Sequence, residues 1–264
     1  MRKILRSLAT LLTMSLACAA CDTVPSRPGE GRFVKRALML DGVPHRYQVF
    51  VPSQAAGGRR PPVILFLHGS GERGSDGDRP VAVGLGPYVH ARIDTFPAIV
   101  VFPQAPENSE WSGASATLAL QALDAATGEF DGDARRTYLS GLSMGGYGVW
   151  ELALLQPQRF AALVPICGAL RPPNDERELF VTPVTGEADP YAALARQLHA
   201  LPIWIFHGAK DDLVPPTDDR LTAAALKAAG GDLRYTEYPD ANHNAWDPAY
   251  ATPELWTWLF AQHR

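Results

Sequence analysis

The sequence predicts an α/β protein with a mostly parallel, twisted sheet of about eight strands flanked by helices. Short, continuous apolar runs, such as 63–67, 98–102 and 203–206, are typical of strands buried on both faces, as parallel strands are. Segments with helical spacing lie between these runs, and this alternation is the pattern of a parallel sheet with helical crossovers. A chain of 264 residues with 46% hydrophobic and 20% charged residues is large enough to bury such a core.

Residues 1–21 have the composition of an export signal. Basic residues precede an apolar run at 8–16, and small residues suitable for cleavage follow it. This run is short for a bilayer span, which disfavours the alternative of a transmembrane anchor. Ala19-Ala20-Cys21 is similar to a bacterial lipobox, although Cys18 stands where leucine is usual. A lipoprotein anchored through Cys21 and a freely exported protein, periplasmic or secreted, therefore both remain open.

The remaining chain predicts one domain behind a linker. Residues 22–32 are polar and rich in Pro and Gly, which favours a flexible tether, and 33–264 form the domain. The net charge of -4 argues against nucleic acid as a partner, because nucleic-acid-binding proteins carry a basic surface. Cys167 lies in the apolar stretch 161–168, where we expect a buried structural thiol in a strand.

The elements follow in order along the chain. Strands are predicted near 34–40, 47–51, 63–67, 98–102, 137–139, 161–168, 203–206 and 233–238, the first two joined by the turn Asp41-Gly42 and the last near an edge. Helices are predicted at 85–92, 115–127, 145–155, 191–199, 220–229 (starting near Thr217 with its own cap) and 253–262. The segment 170–189 is charged, Pro-rich and without periodicity, and it predicts a short cap insertion over the carboxyl ends of the strands.

The stretch Gly141-Leu142-Ser143-Met144-Gly145 fits the pattern G-x-S-x-G between a strand and a helix. In this nucleophile elbow the serine sits on a sharp, strained turn that raises its hydroxyl above the sheet. Side chains two residues before and after the serine would collide, so both positions favour glycine. The pattern makes Ser143 the candidate nucleophile, whereas a Gly-rich turn with a surface serine is the alternative.

The loop His68-Gly69-Ser70-Gly71 directly follows a buried strand. It lacks the G-K-[ST] of a phosphate-binding loop. In hydrolases with an elbow, a loop in this position donates one backbone N–H to the oxyanion, and the residue after the nucleophile donates the other. We therefore predict the amides of Ser70 and Met144 as donors, with Gly71 as an alternate that also contacts substrate. His68 is expected to pack and hold the loop rather than act as a base.

Trp111 stands in the loop after the strand at 98–102. Loops at the carboxyl ends of parallel strands line ligand sites, so Trp111 is a candidate substrate-binding residue that forms a pocket wall. The alternative is a tryptophan that pins its loop to the core, and the sequence leaves the two interpretations open.

The candidate acid and base follow the last two predicted strands. Asp211 comes after the strand at 203–206, with Asp212 as its alternative, because only one of two adjacent side chains can face the site. His243 lies in the loop after the last strand, whereas His207 ends a strand and is expected to pack beneath its loop. The chain order Ser143, Asp211, His243 is that of α/β-hydrolases.

Five stretches carry a resemblance to a known group: LFLHGSGERGSD (65–76), YLSGLSMGGYGVWELAL (138–154), RFAALVPICG (159–168), IFHGAKDDLVPP (205–216) and HNAWDPAY (243–250). The chain resembles bacterial α/β-hydrolases of the esterase group described as predicted peptidases or phospholipase/carboxylesterase-like proteins. It is more distantly similar to feruloyl and acetylxylan esterases and polyhydroxybutyrate depolymerases. Asn242 stands where this group often has glycine before the histidine.

These features predict an exported serine hydrolase that cleaves carboxylic esters without a cofactor. The expected substrate is a small-molecule or polysaccharide-linked ester with a short-chain or carbohydrate-linked acyl group. A serine peptidase of the prolyl oligopeptidase type is the first alternative, and a non-catalytic binding protein on the same fold is the second. The sequence holds no HExxH pattern, and its one CxxC spacing, Cys18 to Cys21, lies in the predicted export signal, so no metal site is predicted.

Overall fold

The computed structural model of the protein describes residues 30–40, 42–53 and 58–264. The predicted signal segment, its candidate lipid-anchor residue Cys21, the turn residue Asp41 and most of the predicted tether lie outside the described residues. The first strand begins at Arg32, the last residue assigned to the tether. No helix within the described ranges combines the length and hydropathy that a bilayer-spanning segment needs.

Strands and helices alternate through the described chain. The strands are β1 (Arg32–Leu40), β2 (Val43–Val51), β3 (Pro62–Leu67), β4 (Ile99–Pro103), β5 (Asp133–Leu142), β6 (Ala162–Ile166), β7 (Ile203–Gly208) and β8 (Leu233–Tyr238). The helices are α1 (Leu85–His90), α2 (Gly113–Glu129), α3 (Met144–Leu155), α4 (Pro190–Leu198), α5 (Thr217–Ala228), α6 (Trp246–Ala251) and α7 (Pro253–Ala261). Single turns of 3-10 helix occur at Ser70–Glu72, Arg79–Val81 and Thr182–Val184.

The strands form one sheet in the order β1-β2-β4-β3-β5-β6-β7-β8. β1 and β2 pair as an antiparallel hairpin, and β2 is antiparallel to β4. Every other neighbouring pair, from β4-β3 to β7-β8, is parallel. The predicted mostly parallel sheet of about eight strands is thereby confirmed, with β8 at an edge as expected. The carboxyl ends of β3, β5, β7 and β8 consequently meet on one side of the sheet.

The core has two layers because successive side chains of each central strand point to opposite faces. In β3, Val63, Leu65 and Leu67 pack on one face, while Ile64 and Phe66 pack on the other, and all five are fully buried. The first layer is closed by apolar residues of α2, α3, α4 and α5. The second is closed by α1, α6 and α7. Such two-sided burial explains why β3 reads as a continuous apolar run.

The structure differs from the sequence analysis in several local features. Helix α6 was not predicted, since it is short and carries Pro248, which an α-helix tolerates in its first turn. Helix α5 begins at Thr217 as expected, but no side-chain hydrogen bond caps it. Cys167 lies one residue beyond β6 rather than within it, and its φ of 51° places it in the left-handed region.

Candidate active site

Ser143 lies on the turn between β5 and α3 with φ 54° and ψ -121°. This conformation is outside the regions that L-residues normally occupy, so the turn stores backbone strain. Two backbone hydrogen bonds hold it: the Ser143 N–H donates to the carbonyl of Ile166 at 2.9 Å, and the Gly146 N–H donates to the carbonyl of Ser143 at 2.7 Å. The strain is therefore held in place by the neighbouring strand β6 and the first turn of α3.

The glycines on either side of Ser143 are required by close backbone approach. A Cβ at position 141 would lie 2.3 Å from the carbonyl oxygen of Gly145, and a Cβ at position 145 would lie 2.0 Å from the carbonyl oxygen of Leu67. Both neighbours are backbone atoms, which cannot rotate away as a side chain can. The prediction that side chains would collide at these two positions is confirmed.

We expect Gly145→Ala to lower the free energy of unfolding by about 3 kcal/mol or more, because it overpacks a backbone contact in the core. Urea denaturation followed by circular dichroism measures the change. Gly186→Ala is the matched control, since a Cβ at position 186 meets no atom within 4 Å. Equal stability of the two variants would show that the elbow is not tightly packed against β3.

A continuous line of hydrogen bonds joins the three residues that the sequence singled out at the ends of β5, β7 and β8. His243 Nε2 lies 2.8 Å from Ser143 Oγ, and His243 Nδ1 lies 2.7 Å from Asp211 Oδ2. The other carboxylate oxygen, Asp211 Oδ1, accepts the N–H groups of Leu213 and Val214 at 3.0 Å each. The neighbouring Asp212 is exposed. It is therefore Asp211 of the two candidates that reaches the histidine.

The Asp211 carboxyl is held in its ionised form. Burial of this side chain by itself raises the pKa, but hydrogen bonds from His207 and His243 outweigh burial and bring the pKa of Asp211 well below its usual range. An ionised Asp211 requires a proton on His243 Nδ1, so the neutral imidazole directs the lone pair of Nε2 at the Ser143 hydroxyl. The geometry thus allows His243 to accept the hydroxyl proton.

The loop after β3 brings backbone N–H groups to the same place. Ser70 begins the single helical turn at Ser70–Glu72, and Met144 begins α3, so neither N–H has an acceptor within its own helix. Gly69 permits the close approach, because a Cβ there would lie 3.0 Å from Leu142 Cδ1 and 3.6 Å from Ser143 Cβ. Ser70 and Gly71 line one cavity together with Ser143.

His68 is fully buried and bonds to backbone on both sides of its ring. Its Nδ1 donates to the carbonyl of Gly69 at 2.6 Å, and its Nε2 accepts the N–H of Ala105 at 3.0 Å. Burial lowers the pKa of His68 to about 4, so the ring is neutral at neutral pH. These bonds fit the prediction that His68 holds its loop in place.

Trp111, predicted to contact substrate, is buried in the core and does not line the cavity beside Ser143. It is 2% exposed, its indole N–H donates to the carbonyl of His68 at 2.9 Å, and its ring meets the His68 ring edge-on. Gly148 leaves room for it, since a Cβ there would lie 2.6 Å from Trp111 Cβ. The pocket-wall interpretation is therefore wrong, and the pinning interpretation is correct.

The cavity beside Ser143 and His243 has a volume of about 320 Å³. Trp246, the first residue of α6, forms part of its wall and meets the His243 ring edge-on at 5.5 Å between centroids. Pro173, Asn174 and Arg177 from the predicted cap segment also line it. The segment 170–189 thus covers the site as expected, whereas the contribution of Trp246 was missed.

Arg177 links the cap segment to the loop after β3. Its guanidinium donates to Ser70 Oγ and lies 3.8 Å from Glu110 Oε1, which also accepts from Arg73. This arrangement places a cation at the cavity wall beside the loop that holds Ser70. No periodicity or motif in the stretch around Arg177 singles out this residue.

Three groups behind His243 have the chemistry of metal ligands: the Cys167 thiol, a ring nitrogen of His207 and an Asp211 oxygen lie within 4.8 Å of one another. Each is already engaged, since Cys167 Sγ donates to the carbonyl of His243 at 3.1 Å and both ring nitrogens of His207 have oxygen partners. Burial raises the pKa of the Cys167 thiol, which favours the protonated form over the thiolate that metals bind. We interpret the cluster as a hydrogen-bonded network.

Comparison with known proteins gives both a family and a fold. The sequence profile of the prolyl oligopeptidase family matches residues 108–260, more than half of the chain. A thermostable esterase of known structure is 32% identical, with a TM-score of 0.74 over 88% of this chain and 63% of that chain. A ferulic acid esterase is 19% identical, with a TM-score of 0.60 over 88% of this chain and 98% of that chain, and shows the fold alone.

A relative from the fungus Arthroderma benhamiae, described as an uncharacterized secreted protein, is 26% identical over 201 residues. The alignment covers 69% of this chain and 21% of that protein, so the chain spans about a fifth of this relative and less than two thirds of the thermostable esterase. The strand order of the sheet, the parallel pairing of its central strands and these structural likenesses together establish an α/β-hydrolase fold.

Proposed function

The chain belongs to the prolyl oligopeptidase family, and we propose that it is a serine hydrolase that cleaves carboxylic esters through an acyl-enzyme. The observation that carries the proposal is the unbroken line of hydrogen bonds from Ser143 through His243 to Asp211. A serine whose hydroxyl faces an unprotonated imidazole nitrogen, with a buried carboxylate behind the ring, is the arrangement that activates serine as a nucleophile.

In the proposed mechanism, Ser143 Oγ attacks the acyl carbonyl while His243 Nε2 takes the hydroxyl proton. Asp211 holds the imidazole in the required tautomer and stabilises the imidazolium that forms. The amides of Ser70 and Met144 donate to the oxyanion, each worth on the order of 3 kcal/mol of transition-state stabilisation. His243 then protonates the departing alcohol, and water hydrolyses the acyl-enzyme by the same steps in reverse order. These steps require no cofactor.

The size and the lining of the cavity favour a substrate with a small acyl group. Val83, Leu142, Leu213 and Trp246 give it apolar surface, and its volume of about 320 Å³ is near the lower end of ligand pockets. Glu72 and Arg177 add polar groups on the same cavity. We therefore include in the proposal a short-chain acyl ester, either of a small alcohol or attached to a polysaccharide.

Export is part of the same proposal. The basic start and apolar run of residues 1–21 support it, and so does the secreted relative. An extracytoplasmic location would bring the site to extracellular esters, whether the chain is released or anchored through Cys21.

Hydrolysis of p-nitrophenyl acetate, butyrate and octanoate by the purified protein tests the ester proposal. We expect acetate and butyrate to be cleaved with kcat/KM about tenfold or more above octanoate, because each methylene that does not fit costs on the order of 1 kcal/mol. Feruloyl esters and acetylated xylan in parallel assays separate small from polymer-linked substrates.

The family assignment favours a second candidate, a serine peptidase, because the matching family is that of prolyl oligopeptidase. Aminoacyl and prolyl p-nitroanilides, assayed beside the esters, decide between the two. Cleavage of the anilides with no ester turnover would support the peptidase. Failure of the protein to turn over any ester or amide would contradict both enzymatic proposals and favour a binding protein.

A further inference from the structure

His207 is a buried titratable residue that has no role in the proposed mechanism. It lies near the carboxyl end of β7 with a fully buried side chain. Its Nδ1 is 2.8 Å from Asp219 Oδ2 on α5. Its Nε2 is 2.9 Å from the carbonyl oxygen of Val214 and 3.3 Å from Asp211 Oδ2, the same oxygen that meets His243. Both ring nitrogens therefore face only oxygen acceptors.

The oxygen acceptors at both nitrogens determine how many protons the His207 ring carries. A neutral imidazole carries a single N–H, so one of its nitrogens would direct a lone pair at an acceptor. Two protons on His207 satisfy every contact. The rival arrangement places the second proton on Asp219. The Oδ1 atom of Asp219 is buried and has no hydrogen-bond partner in the described part of the chain in either arrangement.

The pKa directions favour the imidazolium. Burial disfavours a charged His207, but its hydrogen bonds with Asp211 and Asp219 outweigh burial and raise the pKa of His207 to about 10. Burial raises the pKa of Asp219 to about 6, which is still below neutral pH. Together with the oxygen acceptors at both ring nitrogens, these directions place the proton on the histidine. Two carboxylates and one imidazolium together leave a single negative charge behind His243.

The other titratable groups around this network are protonated or ion-paired, except for Asp218, whose pKa is raised by burial. They are Cys167 after β6, Tyr235 and Glu237 on β8, Asp218 and Arg220 on α5, and His243 itself. Burial keeps the Cys167 thiol and the Tyr235 hydroxyl protonated by raising the pKa of each. Glu237 is neutralised by a two-pronged ion pair with Arg220 at 2.7 and 2.8 Å. Asp218 accepts from Leu170 and Tyr191 instead of from His207.

We infer that His207 is a positioning residue: held by Asp219 as a buried imidazolium, it fixes the Asp211 carboxylate in place and limits the basicity of His243. Both histidines donate to the same Asp211 oxygen, so a cation on His207 weakens the attraction of that oxygen for a proton on His243. Loss of that cation should strengthen the attraction of Asp211 for a proton on His243, and His243 must be free of a proton at Nε2 to accept the one from Ser143. The inference rests on the proposed role of Ser143 and His243, not on the identity of the ester.

His207→Gln tests the inference, because its amide can still donate near the Nε2 position while the positive charge is lost. The readout is the pH dependence of Ser143 labelling by a fluorophosphonate probe, which needs no substrate, together with kcat/KM on p-nitrophenyl acetate. We expect the acid limb of both profiles to move up by about one pH unit, so that labelling at pH 6 slows by up to about tenfold relative to the plateau. A merely structural role would lower stability without moving the acid limb.

Thr222→Val is the control. Thr222 is a buried neutral residue of α5, the helix that carries Asp219, and its hydroxyl donates to the carbonyl of Asp218. It should leave the acid limb unchanged. An unmoved acid limb in His207→Gln would overturn the inference. Should His207→Gln fail to fold, Asp219→Asn replaces it, and we expect a smaller shift in the same direction because Asp219 lies on the far side of the ring from His243.

Nitrogen-15 NMR of histidine-labelled protein provides an independent measurement on the free protein. We expect His207 to show two protonated nitrogens at pH 7 in the unsubstituted chain and one in Asp219→Asn. A neutral His207 at pH 7 in the unsubstituted chain would overturn the inference. If no ester is hydrolysed but labelling and NMR behave as described, the ester proposal fails while the role of His207 stands.

Discussion

Ser143→Ala is expected to lower kcat on the best p-nitrophenyl ester by at least about 10⁴-fold while the chain remains folded. The reason is that, among the residues that the structure describes, Ser143 Oγ is the hydroxyl that contacts His243 Nε2, at 2.8 Å. The substitution removes one oxygen atom and keeps the Cβ, so the strained turn and its backbone bonds can persist. KM should change little, since the cavity walls and the Ser70 and Met144 amides are retained.

Ser70→Ala is the matched control for this substitution. Ser70 lines the same cavity, but in the proposed mechanism it acts through its backbone N–H, which alanine also supplies. Loss of the hydroxyl removes the bond to Arg177, and we expect less than about a tenfold fall in kcat. Activity of a purified Ser143→Ala sample above about 1% of the unsubstituted protein would exclude Ser143 as the nucleophile, because residual catalysis without the nucleophile is far lower.

The elbow could be predicted from sequence because its requirements are local. A strained serine between a strand and a helix needs glycine two residues before and two residues after it, and both requirements are visible in five consecutive letters. The structure gives these glycines a concrete reason, which is the approach of the Gly145 and Leu67 carbonyls to positions 141 and 145. The central strands were equally visible, because burial on both faces makes every residue of a strand such as β3 apolar.

The walls of the cavity could not be predicted, because they depend on which side of a loop faces the sheet. Trp111 and Trp246 both follow strands and are separated from them by short loops. The structure buries Trp111 behind the Ser70 loop and places Trp246 beside His243. Nothing in the letters around either tryptophan distinguishes these outcomes. The contact of Arg177 with Ser70 could not be predicted either. Arg177 lies in a segment without periodicity, and the contact depends on how the cap segment folds over the site.

The buried network behind Asp211 was predictable from the sequence only in part. The sequence indicated that His207 packs beneath its loop, which agrees with its complete burial. Its partner Asp219 is twelve positions away on α5, where an acidic residue in the first turn of a helix is unremarkable. Only the packing of α5 against β7 turns that acidic residue into a buried partner of the histidine.

Asp211→Asn is expected to lower kcat by about 10⁴-fold, whereas Asp212→Asn should leave it within about twofold of the unsubstituted value. The backbone determines how the new amide points. Asp211 Oδ1 accepts two N–H groups, from Leu213 and Val214, so the amide oxygen of asparagine takes that position. Its NH₂ group is then directed at His243 Nδ1, which must accept a hydrogen bond instead of donating one.

The consequence is a change of tautomer at the base. With Nδ1 accepting, the proton of His243 moves to Nε2, which faces Ser143 Oγ and can no longer take its proton. The same NH₂ group also meets the Nε2–H of His207 at the position where Asp211 Oδ2 accepted it, so the variant should lose stability as well. Kinetics on p-nitrophenyl acetate and urea denaturation of both variants measure the two effects. Because Asp212 undergoes the same chemical change one residue away and is exposed, a larger loss in Asp212→Asn would identify Asp212 as the acid and contradict the geometry of the site.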